Sequence, residues 1–213
     1  LSENDIKEAK KAVSRALFAQ EYECEWTTTE SQIYLDLDEN KHIGEYVGER
    51  FSEVIGGLDV GYRDENVFVV IGFDGQSYYI IDEYVSKEST TSELAASIQE
   101  KVDEWNIDTI YIDSAAQQVK ADFAYDYDIY CENAVKSVND GISYVQVLIE
   151  NDNLYFDLMG ASHTFSAMSS YRWNPNTETP KPIHDWTSHP CDAVRYAIYT
   201  HSKMSNISIY AWY

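Results

Sequence analysis

The sequence predicts an α/β fold: a mixed sheet of antiparallel hairpin strands plus parallel strands, flanked by helices. Three observations predict it. Residues 53–85 hold three β-rich runs separated by turn signals, of which Asp74-Gly75-Gln76 is the clearest. From Thr91 onward helical and strand patterns alternate, and a strand reached through a crossover helix lies parallel to an earlier one. Of 213 residues, 44% are hydrophobic and 14% aromatic, which fills a core and excludes wholesale disorder.

The elements follow in order. Ser2 and Asp5 resemble a capping box, and Ile6, Ala9, Val13, Ala16 and Leu17 recur at helical spacing, so a first helix runs to about Glu21–Cys24. Thr27–Arg50 is polar and weakly periodic, a connecting segment with one short helix over Ile43–Phe51. Glu53–Tyr62, Val67–Phe73 and Ser77–Val85 are strands of a hairpin or meander. In Thr91–Trp105, Leu94, Ile98, Val102 and Trp105 share a helical face, and Thr91 or Ser92 can cap it. Thr109–Asp113 is a strand, Ala115–Tyr125 a helix, Ile129–Asn133 a strand, Ile142–Glu150 a helix and Asn153–Asp157 a strand. His163–Trp173 fits either state. Pro175, Pro180 and Pro182 make Asn174–Pro182 a loop. Ser188–His201 is helical, with Cys191, Val194, Arg195 and Ile198 at helical spacing, and the aromatic tail Ser205–Tyr213 is β-prone. Three parts result: a helix and linker over 1–50, a main domain over 51–204 and a tail over 205–213.

Charge narrows the function. Fifteen Lys and Arg against 37 Asp and Glu leave a formal net charge of −22. A binder that holds nucleic acid through a broadly basic surface is excluded, because phosphate neutralisation needs Lys and Arg. No run approaches the ~18 apolar residues of a membrane span, and no signal-peptide pattern is present. The chain opens on Leu1, as a piece of something longer would. Cys24, Cys131 and Cys191 form no CxxC pair and read as reduced thiols rather than a disulfide or zinc framework. No P-loop motif occurs.

Three aspartates stand out by position. Asp59 ends the first strand in Gly56-Gly57-Leu58-Asp59-Val60-Gly61, Asp113 ends the fourth in Ile110-Tyr111-Ile112-Asp113, and Asp192 begins the last long helix. A lone carboxylate among apolar residues is costly unless compensated. Carboxylates crowded at adjacent strand ends repel unless a divalent cation lies between them. Mg²⁺ or Mn²⁺, hard and oxygen-seeking, suits such a set, and two such ions roughly 3.5–4 Å apart form a device for phosphodiester cleavage. The glycines around Asp59 let a backbone phosphate come close. His189 lies three residues before Asp192, on the same helical face, and can ligate metal, orient water or simply cap the helix. Asp64, Asp74, Asp82 and Glu83 read as turn or surface acids, and His184 as structural. Lys120, Lys136, Arg172, Lys181 and Arg195 are the cations expected to frame the site.

At these residues the sequence resembles the C-terminal nuclease domain of the large terminase subunit of tailed bacteriophages, a family with an RNase H-like fold. Gly57-Leu58-Asp59-Val60-Gly61 resembles its first acidic motif, Tyr111-Ile112-Asp113-Ser114-Ala115 the second, and His189-Pro190-Cys191-Asp192-Ala193-Val194-Arg195-Tyr196-Ala197 the third. Phe18–Trp26 resembles the segment joining the ATPase domain to the nuclease. The resemblance implies that Asp59, Asp113 and Asp192 ligate two Mg²⁺ or Mn²⁺ ions, with His189 an auxiliary catalytic residue. It further implies a metal-dependent endonuclease that cuts concatemeric double-stranded viral DNA during packaging in the host cell cytoplasm. Implied partners are double-stranded DNA, a portal protein, a small terminase subunit and an N-terminal ATPase domain absent from this chain. Against it stand another RNase H-like nuclease of junction-resolvase or transposase type, a non-catalytic acidic docking domain, and an acidic DNA mimic.

Overall fold

The computed structural model describes residues 31–46, 48–61 and 64–210. The helix expected near the amino terminus and the motif at Phe18–Trp26 lie outside the described residues. Strands β1 (Ile43–Gly44), β2 (Glu53–Asp59), β3 (Glu65–Phe73), β4 (Tyr78–Lys87), β5 (Thr109–Ile112), β6 (Cys131–Asn133) and β7 (Leu154–Asp157) form one sheet in the order β1-β7-β4-β3-β2-β5-β6. The centre, β2-β3-β4, is an antiparallel meander. On one side β5 pairs parallel to β2 and β6 parallel to β5; on the other β7 pairs parallel to β4 and β1 parallel to β7. The mixed sheet expected from the sequence is the one observed.

Helices cover both faces. Helix α2 (Thr91–Trp105) and helix α3 (Gln117–Asp126) pack Leu94, Ala95, Ile98 and Phe123 on one side. Helix α4 (Val138–Glu150), helix α5 (Ser162–Ser170) and helix α6 (Ser188–Tyr210) pack Ile142, Val145, Met168, Val194 and Ile198 on the other. Side chains alternate along a strand, so β3 sends Val67, Val69 and Ile71 to the α6 side and Phe68 and Val70 to the α2 side. Because neither face meets water, the strand reads as a continuous apolar run rather than an alternating one.

Local rules account for α2. The Thr90 hydroxyl accepts from the Glu93 amide at 3.3 Å while the Glu93 carboxylate accepts from the Thr90 amide at 2.8 Å, a closed capping box. Asn106, left-handed at φ 50°, ends the helix.

Three expectations change. The segment 43–51 is not helical: a four-residue helix α1 (Glu39–His42) ends at Ile43, which enters the sheet opposite Phe156. Gly48, at φ +102°, takes a conformation no helix continues through, and the Tyr46 amide donates to Asp157 Oδ2 at 2.8 Å. The ambiguous stretch from His163 begins as α5 because Glu83 of β4 accepts from the His163 and Thr164 amides, both at 2.8 Å, and from the Thr164 hydroxyl. This makes Glu83 a helix cap rather than a surface acid. Finally, α6 continues nine residues past His201 to Tyr210, into the β-prone tail. With no Gly or Pro after Pro190 to stop it, propagation of a formed helix overrides local β preference. Ile33 and Tyr34, ahead of α1, are buried in the α6-side core.

Candidate active site

The topology sets two acids side by side. Leu58 of β2 is in register with Ile112 of the parallel strand β5, so Asp59 and Asp113, each the next residue along, leave the same end of the sheet next to each other. Asp59 is buried, whereas Asp113 is partly exposed. The Asp113 Oδ1 accepts from the Ala115 amide at 2.9 Å and pairs with Lys136 Nζ at 3.0 Å.

The third acid arrives on α6, and a glycine lets it in. A Cβ on Gly57 would stand 2.1 Å from the Ala193 carbonyl oxygen and 3.0 Å from the Ala197 Cβ. Only a residue without a side chain permits this approach of helix to strand. Two residues on from Gly57 is Asp59; beside Ala193 is Asp192. One turn earlier, His189 Nδ1 donates to Asp59 Oδ2 at 2.6 Å across 130 residues of sequence. A carboxylate only accepts, so this bond places a proton on Nδ1, and in the neutral imidazole the lone pair is then on Nε2.

Arg195 completes the helix face. Its Nη2 and Nε donate to Asp192 Oδ1 at 2.8 and 3.2 Å. Its guanidinium also lies 4.7 Å from the centre of the Tyr196 ring. The side chain is 3% exposed, so Arg195 is not the surface cation expected to frame DNA; it is an internal counter-ion. Lys120 likewise is engaged, donating to Asn133 Oδ1 at 3.0 Å. Lys181 lines a cavity of about 490 Å³ that also meets Val138, Tyr171, His184, Ser188 and Asp192.

The electrostatics describe a strained cluster of charge. Burial raises the pKa of Asp192; Arg195 opposes the rise and Asp59 adds to it. The Tyr196 phenol is raised first by burial, then by Asp59, Asp192 and Asp113, with Arg195 acting against them. All three carboxylates thus act on one phenol. His189 is raised, chiefly by its bond to Asp59 and against its own burial.

The donor chemistry suits divalent cations. Asp59 Oδ1, Asp113 Oδ2 and Asp192 Oδ2 make no hydrogen bond among the described residues. Asp192 is a carboxylate whose charged form burial disfavours, and a hard cation would offset that cost.

Two residues escaped the sequence reading. Asp64, taken as a turn acid, has Oδ2 3.9 Å from His189 Nε2. His184 has its ring 5.5 Å from that of His189, and one donor atom from each of Asp64, His184 and His189 lies within 4.8 Å of the others. The signals were present: Asp64 shares a loop with Asp59, and His184 stands five residues before His189. Asp74 does form its turn, accepting from the Gln76 and Ser77 amides. Asp82 is instead a half-buried acceptor for Lys101 at 2.5 Å and Trp105 at 2.7 Å.

Comparison with known proteins identifies the family and the fold. The family described as the Terminase RNaseH-like domain matches residues 56–200. The large terminase subunit of Escherichia phage T5 is 36% identical over 214 residues, covering 94% of this chain and 49% of the relative; the chain thus spans about half that relative's length. Among solved structures, a large terminase from a thermophilic bacteriophage superposes with a TM-score of 0.80 at 21% identity, over 95% of this chain and 52% of that one. The nuclease domain of the bacteriophage SPP1 large terminase, solved with bound Mn, gives a TM-score of 0.60 at 23% identity over 78% of this chain and 97% of that one. The P22 large terminase nuclease domain gives 0.66 at 16% identity, over 81% and 92%. The mixed sheet and its helices are those of an RNase H-like fold, and the chain belongs to the Terminase RNaseH-like domain family.

Proposed function

We propose that this domain is a metal-dependent endonuclease that cuts concatemeric double-stranded viral DNA during genome packaging. The observation that carries the reading is the pairing of Asp59 and Asp113 at adjacent strand ends, closed over by Asp192 and His189 of α6. Asp59, Asp113 and Asp192 are the ligands for two Mg²⁺ or Mn²⁺ ions. When bound, the ions supply a more acidic attacking water and a stabilised leaving oxygen.

The chain's own residues do the rest. His189 holds Asp59 through Oδ2 and so leaves Oδ1 as its ligating oxygen. Arg195 grips Asp192 Oδ1 and so leaves Oδ2 as its ligating oxygen. Lys136 restrains Asp113 from the solvent side. His189 is a positioning residue, since its Nδ1–H is spent on Asp59. The Mn in the SPP1 nuclease domain and the cobalt in that of the thermophilic phage G20c support the use of divalent ions.

A net charge of −22 gives the isolated domain weak affinity for DNA. Grip comes instead from an ATPase domain preceding it in the whole protein, and from a portal protein and small subunit in the host cytoplasm. The competing reading, a non-catalytic acidic docking domain, draws on the Lys136 and Arg195 ion pairs, which partly satisfy two acids without metal. It forecasts no thermal shift with Mn²⁺.

The deciding experiment incubates supercoiled plasmid with the domain in Mg²⁺, Mn²⁺ or EDTA. Cutting is expected with either ion and none with EDTA. Asp59→Asn loses more than ~100-fold in rate, beyond what loss of an outer-sphere partner costs. Near-normal cutting by Asp59→Asn overturns the assignment.

A further inference from the structure

We infer that Asp64, His184 and His189 form a second cation site beside the carboxylates, rich in imidazole nitrogen and suited to Zn²⁺, Co²⁺ or Mn²⁺ rather than Mg²⁺. One donor atom of each lies within 4.8 Å of the others, and Asp64 Oδ2 is 3.9 Å from His189 Nε2. The two rings stand 5.5 Å apart and tilted by 68°, so neither stacks over the other.

The hydrogen bonds behind the cluster fix both tautomers in the ligating form. His189 donates Nδ1–H to Asp59, so in the neutral ring its lone pair is on Nε2, 3.9 Å from Asp64 Oδ2, where a cation replaces the second proton. His184 Nδ1 lies 3.1 Å from the Ser188 hydroxyl, which itself donates to the Asp185 carbonyl at 2.7 Å. A hydroxyl has one proton. With that proton on Asp185, Ser188 accepts from His184 Nδ1–H, and the His184 lone pair also falls on Nε2. Each imidazole is therefore anchored through Nδ1, the arrangement by which an outer partner orients a histidine ligand and raises its basicity.

Donor type separates this site from its neighbour. Three carboxylates favour hard ions; two imidazoles and one carboxylate favour borderline ones and leave a position open for water or a phosphate oxygen. Donors around a tetrahedral ion with bonds of ~2.1 Å stand about 3.4 Å apart, so rotation of the exposed Asp64 and His184 side chains closes the shell. The three residues come from the position just before β3, the loop before α6 and its first turn. An ion there clips the start of β3 to the helix that carries Asp192. The inference goes beyond the nuclease reading and shares only His189 with it.

The test uses the 213-residue chain in saturating Mg²⁺, titrated with Zn²⁺ by calorimetry and with Co²⁺ by visible absorption. Wild type is expected to take up Zn²⁺ above the Mg²⁺ background and to develop the Co²⁺ absorption of nitrogen ligation. His184→Ala and Asp64→Asn each weaken Zn²⁺ binding by more than ~10-fold and lose that absorption, with melting in EDTA unchanged. Asp113→Asn keeps both signals while it stops plasmid cutting. Unchanged Zn²⁺ affinity in His184→Ala and Asp64→Asn overturns the site. So does loss of the Co²⁺ signal in Asp113→Asn, which assigns the nitrogen-ligated ion to the carboxylate centre. Failure of cutting in wild type with Mg²⁺ refutes the nuclease reading alone.

Discussion

On one face of the sheet, α2 and α3 press Leu94, Ile98 and Phe123 onto β-branched side chains, and α2 is closed at its start by its own capping box. On the other, α6 lies so close to β2 that Gly57 touches the Ala193 carbonyl, and the helix carries Arg195 and His189 into the protein with Asp192 partly exposed beside them. The first face is mainly apolar, and its half-buried acid, Asp82, is matched by Lys101 and Trp105 of α2. The second trades some apolar burial for charge held at a strand end, including an Arg195 nitrogen that is buried without a hydrogen-bond partner among the described residues. The difference teaches where the proposed site lies: on the face where α6 packs tightly against β2 and brings His189 onto Asp59.

Four substitutions sharpen the contrast. Ile98→Ala, at a fully buried site of the α2 face, should cost about 2–5 kcal/mol in urea unfolding, while the surviving folded protein cuts plasmid normally. Gly57→Ala should cost about 1–3 kcal/mol from overpacking, but cutting by the folded fraction falls far more, because the helix bearing Asp192 is displaced. Equal losses of cutting in the two variants would erase the distinction between the faces. Thr90→Ala removes the α2 cap and should cost about 1 kcal/mol, with no change in cutting.

The smallest effect is one of pH, probed by the fourth substitution, and its sign differs between the faces. Glu93 of the capping box is lowered by its bonds to the Thr90 backbone and hydroxyl. Its contribution is full above the unfolded glutamate value, ~4.3, and is lost as pH falls through the lowered folded value. His189 is raised by its bond to Asp59. Its contribution is full below the unfolded histidine value, ~6.5, and is lost as pH rises through the raised folded value. Melts of the domain in EDTA should therefore show stability declining above neutral pH, and His189→Asn should flatten that decline without altering the acid limb.

Legibility in the sequence tracked the range of the interactions. The span Thr91–Trp105 was readable to the residue because its apolar stripe is local, but its cap is Thr90 rather than Thr91 or Ser92. β3 was readable because both its faces are buried and its run of Val, Phe and Ile is unbroken. Ile43–Phe51 misled because what removes its helix is a pairing with Phe156 and a bond to Asp157, over 100 residues away. Glu83 misled for the same reason, capping a helix 80 residues on. Asp59 and Asp113 stood out as acids that end apolar runs. Asp64 was marked only by its nearness to Asp59 and His184 only by preceding His189, since their meeting depends on two segments converging.

By itself the sequence determined the alternation of strands and helices and the acids at strand ends, because each is written in neighbouring residues; that Gly57 is needed for the approach of α6 was decided by the tertiary structure. Only the tertiary structure decided that Arg195 faces inward to Asp192, that His189 holds Asp59 and that Asp64 and His184 gather at its other nitrogen. Those pairings depend on the register of β2 with β5 and on how closely α6 approaches Gly57, and both are set by the packing of the whole sheet.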